Sequence, residues 1–177
     1  KMHRSDTNLA FAQDMHFLGM LCLKKYENQV GAGGKLRESQ LLDESIACLS
    51  TALRVRKLLL GDHLEVANSS HYLGVALKRK GAMLESTGKS CMDVIVDSTK
   101  RLEEALFIRN LFLERSVREA KRPGNSGMKN DWKQDLDGVQ DVHTIVLRTV
   151  ENTYEIALVH EQSKRFDDER LCLRDSL

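Results

Sequence analysis

One stretch of the chain, residues 52–67 (ALRVRKLLLGDHLEVA), predicts two helices with a turn between them. Ala, Leu, Arg and Lys, which are good helix formers, dominate the residues before Gly61. Gly61 then marks the end of the first helix, and Asp62 is expected to cap the next one. The chain is therefore expected to be a succession of helices.

The chain also matches itself on both sides of this turn. Residues 16–19 (HFLG) correspond to residues 71–74 (HYLG) at a shift of 55, and residues 49–56 correspond to residues 102–109 at a shift of 53. Two helix types, A and B, are therefore predicted to alternate. A weaker match at a shift of 83 sets residues 154–157 against 71–74, and residues 166–169 (FDDE) are expected to open a third B helix.

Apolar residues recur at helical spacing in the B helices. Leu42, Ile46, Leu49 and Leu53 are three or four residues apart and predict an amphipathic helix. This pattern begins inside the first inserted stretch, so the insertions are expected to lengthen the N-terminal ends of the B helices. The expected organisation is an N-terminal tail (1–7), repeat 1 (8–61, insertion about 28–44), repeat 2 (62–115, insertion about 83–97), a loop insertion (116–140) and an incomplete repeat 3 (141–177).

Composition excludes several classes of protein. The 177 residues hold 27 Lys and Arg against 26 Asp and Glu, and the resulting net charge of +1 argues against a dedicated nucleic-acid binder. We find neither an apolar run long enough to span a membrane nor a secretory signal. The four cysteines are widely spaced, so reduced thiols on buried or half-buried helix faces are expected, in an intracellular reducing compartment, most simply the cytoplasm.

Residues 52–67, followed by residues 72–77 (YLGVAL) and Gly81, resemble the linker and A helix of kinesin light chain-type tetratricopeptide repeats, with Leu64 where that family usually has Pro. The resemblance implies an all-α fold, a right-handed α-solenoid of antiparallel helix pairs with long inter-helix insertions. The A helices would line a concave groove, and the B helices would cover its back. Small residues would let A and B helices approach closely: Gly19, Gly74, Ala157, Ala52 and Ala105.

By position in the family, the resemblance also implies which side chains face the groove. They are Gln13, His16, Met20, Leu23 and Lys24 in repeat 1; Asn68, His71, Val75, Lys78 and Arg79 in repeat 2; and Glu151, Tyr154, Leu158, Glu161 and Gln162 in repeat 3.

Each of these groups has a plainer interpretation as well. His16 and His71 are either groove donors or positions shared by repeat ancestry. The basic ends of the A helices either complement the helix dipole or attract acidic partners. Trp132, in the long insertion, is either a partner anchor or folded back on the helices.

The sequence offers no set of residues for catalysis, a cofactor or a metal ion. We therefore expect a non-enzymatic protein–protein interaction scaffold or adaptor, whose partners are peptide segments of other proteins. The alternative is a fixed structural subunit of a large multiprotein or ribonucleoprotein assembly, with the insertions against its neighbours. An RNA-contacting repeat is a third, weaker alternative, because the charge is near neutral.

Overall fold

The fold was analysed in a computed structural model, which describes residues 8–30, 35–120 and 142–174. These residues form five helices and no strand: α1 (Leu9–Gln29), α2 (Lys35–Leu60), α3 (Leu64–Glu85), α4 (Met92–Ala120) and α5 (Val142–Arg174). The predicted all-α class is therefore confirmed.

The helix ends follow from a few local residues. The Asn8 side chain caps α1 by accepting a hydrogen bond from the backbone N–H of Ala10 at 3.0 Å. Gly61 ends α2 with a φ of 60°, a left-handed conformation that costs glycine little. The expected Asp62 cap is wrong, because His63 caps α3 instead: its Nδ1 accepts from the Glu65 N–H at 3.1 Å.

The helices form two antiparallel pairs with equivalent contacts. In the first pair, the Ser45 hydroxyl of α2 donates to the Gly19 carbonyl of α1 at 2.8 Å, and the Leu49 side chain lies over Gly19. In the second, the Ser98 hydroxyl of α4 donates to the Gly74 carbonyl of α3 at 2.8 Å, and Leu102 lies over Gly74. Glycine at these two positions leaves room for a leucine side chain against the helix backbone.

Further packing joins the pairs in chain order. Helix α2 packs on α3, and α4 packs on α5. The buried core runs through all five helices and includes Leu23, Leu49, Leu73, Leu102 and Val159. Because each buried Leu or Val contributes roughly 1.5–3 kcal/mol, this continuous apolar layer holds the helices together.

Two predicted boundaries are wrong. Residues 116–120, assigned to a loop, are the last turn of α4. Residues 166–169 do not open a third B helix, because α5 runs through them as one helix to Arg174. The starts of α2 at Lys35 and α4 at Met92 fall inside the stretches expected to lengthen the B helices.

The described residues also bear on the thiols and on membranes. Cys22, Cys48 and Cys91 are buried and free, in agreement with the expectation from the sequence. None of the helices in the described part of the chain combines the length and apolar character needed to cross a lipid bilayer.

Candidate protein-interaction surface

Helices α1, α3 and α5, the A helices, lie side by side and run in the same direction. Between α1 and α3, His16 Nδ1 and the Ser69 hydroxyl are 3.2 Å apart. Between α3 and α5, His71 Nδ1 and Asn152 Oδ1 are 2.8 Å apart. His71 corresponds to His16 at the shift of 55, and Asn152 corresponds to Ser69 at the shift of 83. The two contacts therefore join equivalent positions of the sequence self-match.

Each neighbouring pair of A helices is bridged by one buried arginine from a B helix. From α2, Arg56 donates to the Gln13 side chain of α1 and to the Glu65 carbonyl of α3, the latter at 3.0 Å. From α4, Arg109 donates to Asn68 Oδ1 of α3 at 3.2 Å and to the Arg148 carbonyl of α5 at 2.8 Å. Burial lowers the pKa of Arg109 to about 10 and also lowers the pKa of Arg56. These hydrogen bonds fix the spacing of the A helices.

The structure places both histidines inside the contact between A helices instead of on an open groove. Only 6% of His16 and 5% of His71 is exposed. Burial, with a smaller contribution from the positive charge of Arg56, lowers the pKa of His16 to about 4. The pKa of His71 is lowered by burial as well. Both rings therefore stay neutral near pH 7 and serve packing between helices, so neither is available to a ligand in this structure.

Four more of the residues expected to line the groove are also buried. Lys78 forms an ion pair with Glu155 of α5, and the Gln162 side chain donates to Glu85 of α3 at 3.1 Å. Leu23 and Val75 belong to the apolar core. Each of these side chains is buried by contacts with a neighbouring helix. The position of a residue within one repeat does not predict those contacts.

The remaining predicted residues divide between two faces. Tyr154 is exposed, but it shares a side of α5 with Val150 and Ala157, which correspond to buried positions of α1 and α3. The others are partly or fully exposed and recur at helical spacing on an adjoining side of the A helices, here called the outer A face. That face carries Gln13, Met20, Lys24, Asn68, Arg79, Glu151 and Leu158; Glu161 is exposed at its edge.

A cleft of about 310 Å³ opens on this face between α3 and α5. Arg79 and Leu158 are among its lining residues, with Arg165 and Glu161 at the same site. The Arg79 Nε–H is buried and makes no hydrogen bond.

Two aromatic residues that were not among the predicted groove residues also lie on this face. The Tyr72 ring packs edge-on against His16 and His71, with centroid distances of 5.6 and 5.3 Å. Phe17 stands at the equivalent position of α1 and is exposed. The self-match at a shift of 55 pairs these two aromatics, and this signal could have placed them on the outer A face.

The basic run at residues 78–80 of α3 has partners within the chain. Arg79 contacts Glu27 at 3.4 Å, and Lys80 pairs with Asp43 of α2. With Lys78 paired to Glu155, all three cations of the run at 78–80 are partly offset by neighbouring carboxylates. These contacts within the chain account for the run, whereas complementing the helix dipole does not, because no basic residue lies in the last turn of α1 or α3.

Trp132 lies outside the described residues, so the structure gives no position for it. The described residues contain no group of three or more His, Cys, Asp or Glu side chains placed to hold a metal ion. In comparisons with known proteins, the chain matches no family, no curated protein and no solved structure.

Proposed function

We propose that the chain is a non-enzymatic protein–protein interaction scaffold whose outer A face binds peptide segments of other proteins. The proposal includes a tetratricopeptide-type arrangement, a right-handed α-solenoid of the kinesin light chain type. The observation that carries it is the repeated contact between A helices, His16 with Ser69 and His71 with Asn152. Because the same contact occurs twice, equivalent side chains of three helices lie in a row, which is the kind of extended surface that helical repeats use for binding.

The chemistry of the outer A face suits a peptide. Met20 of α1 and Leu158 of α5 are partly exposed apolar side chains, and Asn68 and Arg79 of α3 are partly exposed polar ones. The Arg79 side chain is 43% exposed, and its guanidinium can donate to a backbone carbonyl or a carboxylate of the ligand. Free buried thiols support an intracellular, reducing setting for such a scaffold.

Selection from a random peptide display library tests the proposal. The selected peptides are expected to bind with dissociation constants of about 1–100 µM, measured by fluorescence anisotropy. Met20→Glu and Leu158→Glu should each weaken binding about tenfold, because they place a charge on the outer A face. Leu58→Glu, an equally drastic change at an exposed position of α2, is the matched control and should leave binding unchanged. The proposal would be ruled out if neither Met20→Glu nor Leu158→Glu changed the dissociation constants of the selected peptides.

A fixed structural subunit of a multiprotein or ribonucleoprotein assembly is the second candidate. It is favoured by the exposed apolar side chains of α1, where Phe17, Leu18 and Leu21 are 51%, 48% and 66% exposed. Clustered apolar exposure of this kind marks an interaction surface or an aggregation risk. Sedimentation velocity on the isolated chain separates the candidates: an adaptor is expected to be monodisperse, whereas a fixed subunit removed from its neighbours is expected to aggregate.

A further inference from the structure

A second pocket lies between the start of α2 and the end of α3. Its volume of about 470 Å³ is within the range of small-molecule binding sites. Residues of α2, of α3 and of the turn after α3 line it, and it shares no lining residue with the outer A face or with α5. We call it the α2–α3 pocket.

The turn after α3 leaves this space open. Helix α3 ends at Glu85, and Gly88, with a φ of 69°, then directs the chain towards α4. The backbone N–H groups of Thr87 and Lys89 both donate to the Leu84 carbonyl at 3.0 Å. These two hydrogen bonds hold Lys89 beside the C-terminal end of α3, where it lines the pocket together with Leu36 of α2.

Part of the pocket wall is apolar. Met83 and Leu84 are partly buried and pack against the apolar core, and Leu36 is 76% exposed. All three side chains line the pocket. An apolar ligand would remove their exposed surface from water, which is favourable.

The charged lining is cationic. Lys80 and Lys89 line the pocket, and no Asp or Glu among the described residues does. Lys80 already pairs with Asp43 of α2, whereas Lys89 makes no ion pair with a described carboxylate. Lys89 is therefore available to an anionic group of a ligand.

The two hydroxyls of the lining already donate within the chain. Ser39 donates to the Asp43 carboxylate at 3.5 Å, and Thr87 donates to the Leu84 carbonyl at 2.8 Å. A peptide in the pocket would need partners for N–H and C=O groups along its length. A ligand with one anionic group and an alkyl chain needs only Lys89 and the apolar wall, so the lining favours such a ligand over a peptide.

The length of the chain keeps its other segments from filling the pocket. Residues 31–34 (GAGG) join α1 to α2 and carry no side chain larger than a methyl group. Residues 121–141 join α4 to α5 at the far end of α4, a helix of 29 residues that is about 43 Å long. A connection of 21 residues that goes out and returns extends at most about 38 Å.

The two ends of this sequence are limited in the same way. Residues 1–7 span at most about 25 Å, and they precede α1, whose 21 residues place about 32 Å between its start and the end that leads into α2. Residues 175–177 follow α5, which makes no contact with α2 in the described part of the chain.

We propose that the α2–α3 pocket binds a medium-chain fatty acid. The alkyl chain lies against Leu36, Met83 and Leu84, and the carboxylate pairs with Lys89. Because the pocket shares no lining residue with the outer A face, this site goes beyond the function proposed above.

The test uses decanoate, titrated into the intact chain with ¹³C-labelled methionine methyl groups and followed by nuclear magnetic resonance. The Met83 methyl signal, identified by its loss in Met83→Leu, should shift and saturate with a dissociation constant of about 0.05–1 mM. The Met20 signal, from the outer A face, is the internal reference and should not move. A Met83 signal that does not shift, or a Met20 signal that shifts equally, overturns the proposal.

A charge in the apolar wall should abolish most of this binding. Leu36→Glu should raise the dissociation constant at least about tenfold, because it replaces an apolar side chain with a carboxylate that repels the ligand. Leu58→Glu is the matched control, since Leu58 lies on the same helix and is 67% exposed, and it should change binding by less than about twofold. Binding that is insensitive to Leu36→Glu would also overturn the proposal.

The carboxylate has a test of its own. Decanamide, which has the same chain length and no charge, should bind about threefold more weakly than decanoate. Lys89→Gln should bind the two compounds equally, whereas Lys100→Gln, at an exposed lysine of α4, should keep the difference. Equal binding of decanoate and decanamide to the unaltered chain would contradict the pairing with Lys89 and the choice of a fatty acid.

Discussion

Replacing Gly74 with alanine is expected to destabilise the protein, although alanine is the better helix former. A Cβ at position 74 would lie 2.7 Å from Leu102 Cγ, 2.9 Å from its Cδ2 and 3.2 Å from the Ser98 carbonyl oxygen. Favourable carbon–carbon contacts lie near 3.5–4.0 Å, so Leu102 would have to move by roughly 1 Å within a fully buried site. Such overpacking costs about 1–3 kcal/mol, against a gain of about 1 kcal/mol in helix propensity. The expected net loss in free energy of unfolding is about 1 kcal/mol.

The same substitution should have the opposite sign once Leu102 is shortened. Leu102→Ala alone is expected to cost about 3–5 kcal/mol, because it leaves a cavity in the core. In that background a Cβ at position 74 meets neither Cγ nor Cδ2, so Gly74→Ala should stabilise by about 1 kcal/mol. The coupling between the two positions is therefore about 2 kcal/mol. Urea unfolding followed by circular dichroism at a helical wavelength measures all four chains of this cycle.

Ala157 supplies the control for this cycle. Because Ala157 is exposed, Ala157→Gly should cost only the propensity difference of about 1 kcal/mol, whether or not Leu102 is present. The parallel cycle at Gly19 and Leu49, where the added Cβ would lie 2.6 Å from Leu49 Cγ, should give a coupling of the same sign. If Gly74→Ala stabilised both backgrounds equally, the packing of Leu102 on Gly74 would be refuted.

Three further predictions concern buried groups. The pKa of His16 is about 4 when folded and 6.5 in the reference state, so the unfolded chain binds a proton that the folded chain does not. The free energy of unfolding should therefore fall by up to about 3 kcal/mol as the pH drops from 6.5 to 4, and urea unfolding of His16→Gln should show a shallower fall. Lys78→Ala should cost about 3 kcal/mol, because it leaves Glu155 without its buried partner, whereas Lys80→Ala, at a more exposed pair, should cost at most about 1 kcal/mol; thermal unfolding compares them. Burial raises the pKa of the Cys22, Cys48 and Cys91 thiols. Their alkylation, mapped by mass spectrometry, should therefore be slow in the native chain and fast in denaturant. Fast labelling of the native chain would contradict their burial.

Local signals in the sequence were enough to predict the helices and several of their ends. The spacing of apolar residues predicted α2 and α4, and Gly61 marked the end of α2. The third B helix was wrongly predicted from residues 166–169, although the chain has neither Gly nor Pro between Val142 and Arg174 to end a helix there. Without a Gly or Pro to end it, the helix continues through the charged tetrapeptide at 166–169.

The candidate surface depends on contacts that a single repeat does not contain. The self-match correctly paired His16 with His71 as equivalent positions, but their burial results from Ser69 and Asn152 on the next A helix. Lys78 is buried by Glu155, which lies 77 residues further along the chain. Tyr154 shows the converse, because its equivalents are buried and it is exposed. Exposure at these positions depends on which helix packs alongside, and sequence position alone does not specify that helix.

Site-specific photo-cross-linking in the cells that produce the protein tests the central claim, that the outer A face binds other proteins. The photoreactive residue p-benzoylphenylalanine would replace Lys24 or Ala82, which are exposed on the A helices, or Leu58 or Phe107, which are exposed on the B helices. The account predicts that Lys24 and Ala82 cross-link to the same protein and that Leu58 and Phe107 do not. Cross-links to that protein from Leu58 and Phe107, with none from the outer A face, would contradict it.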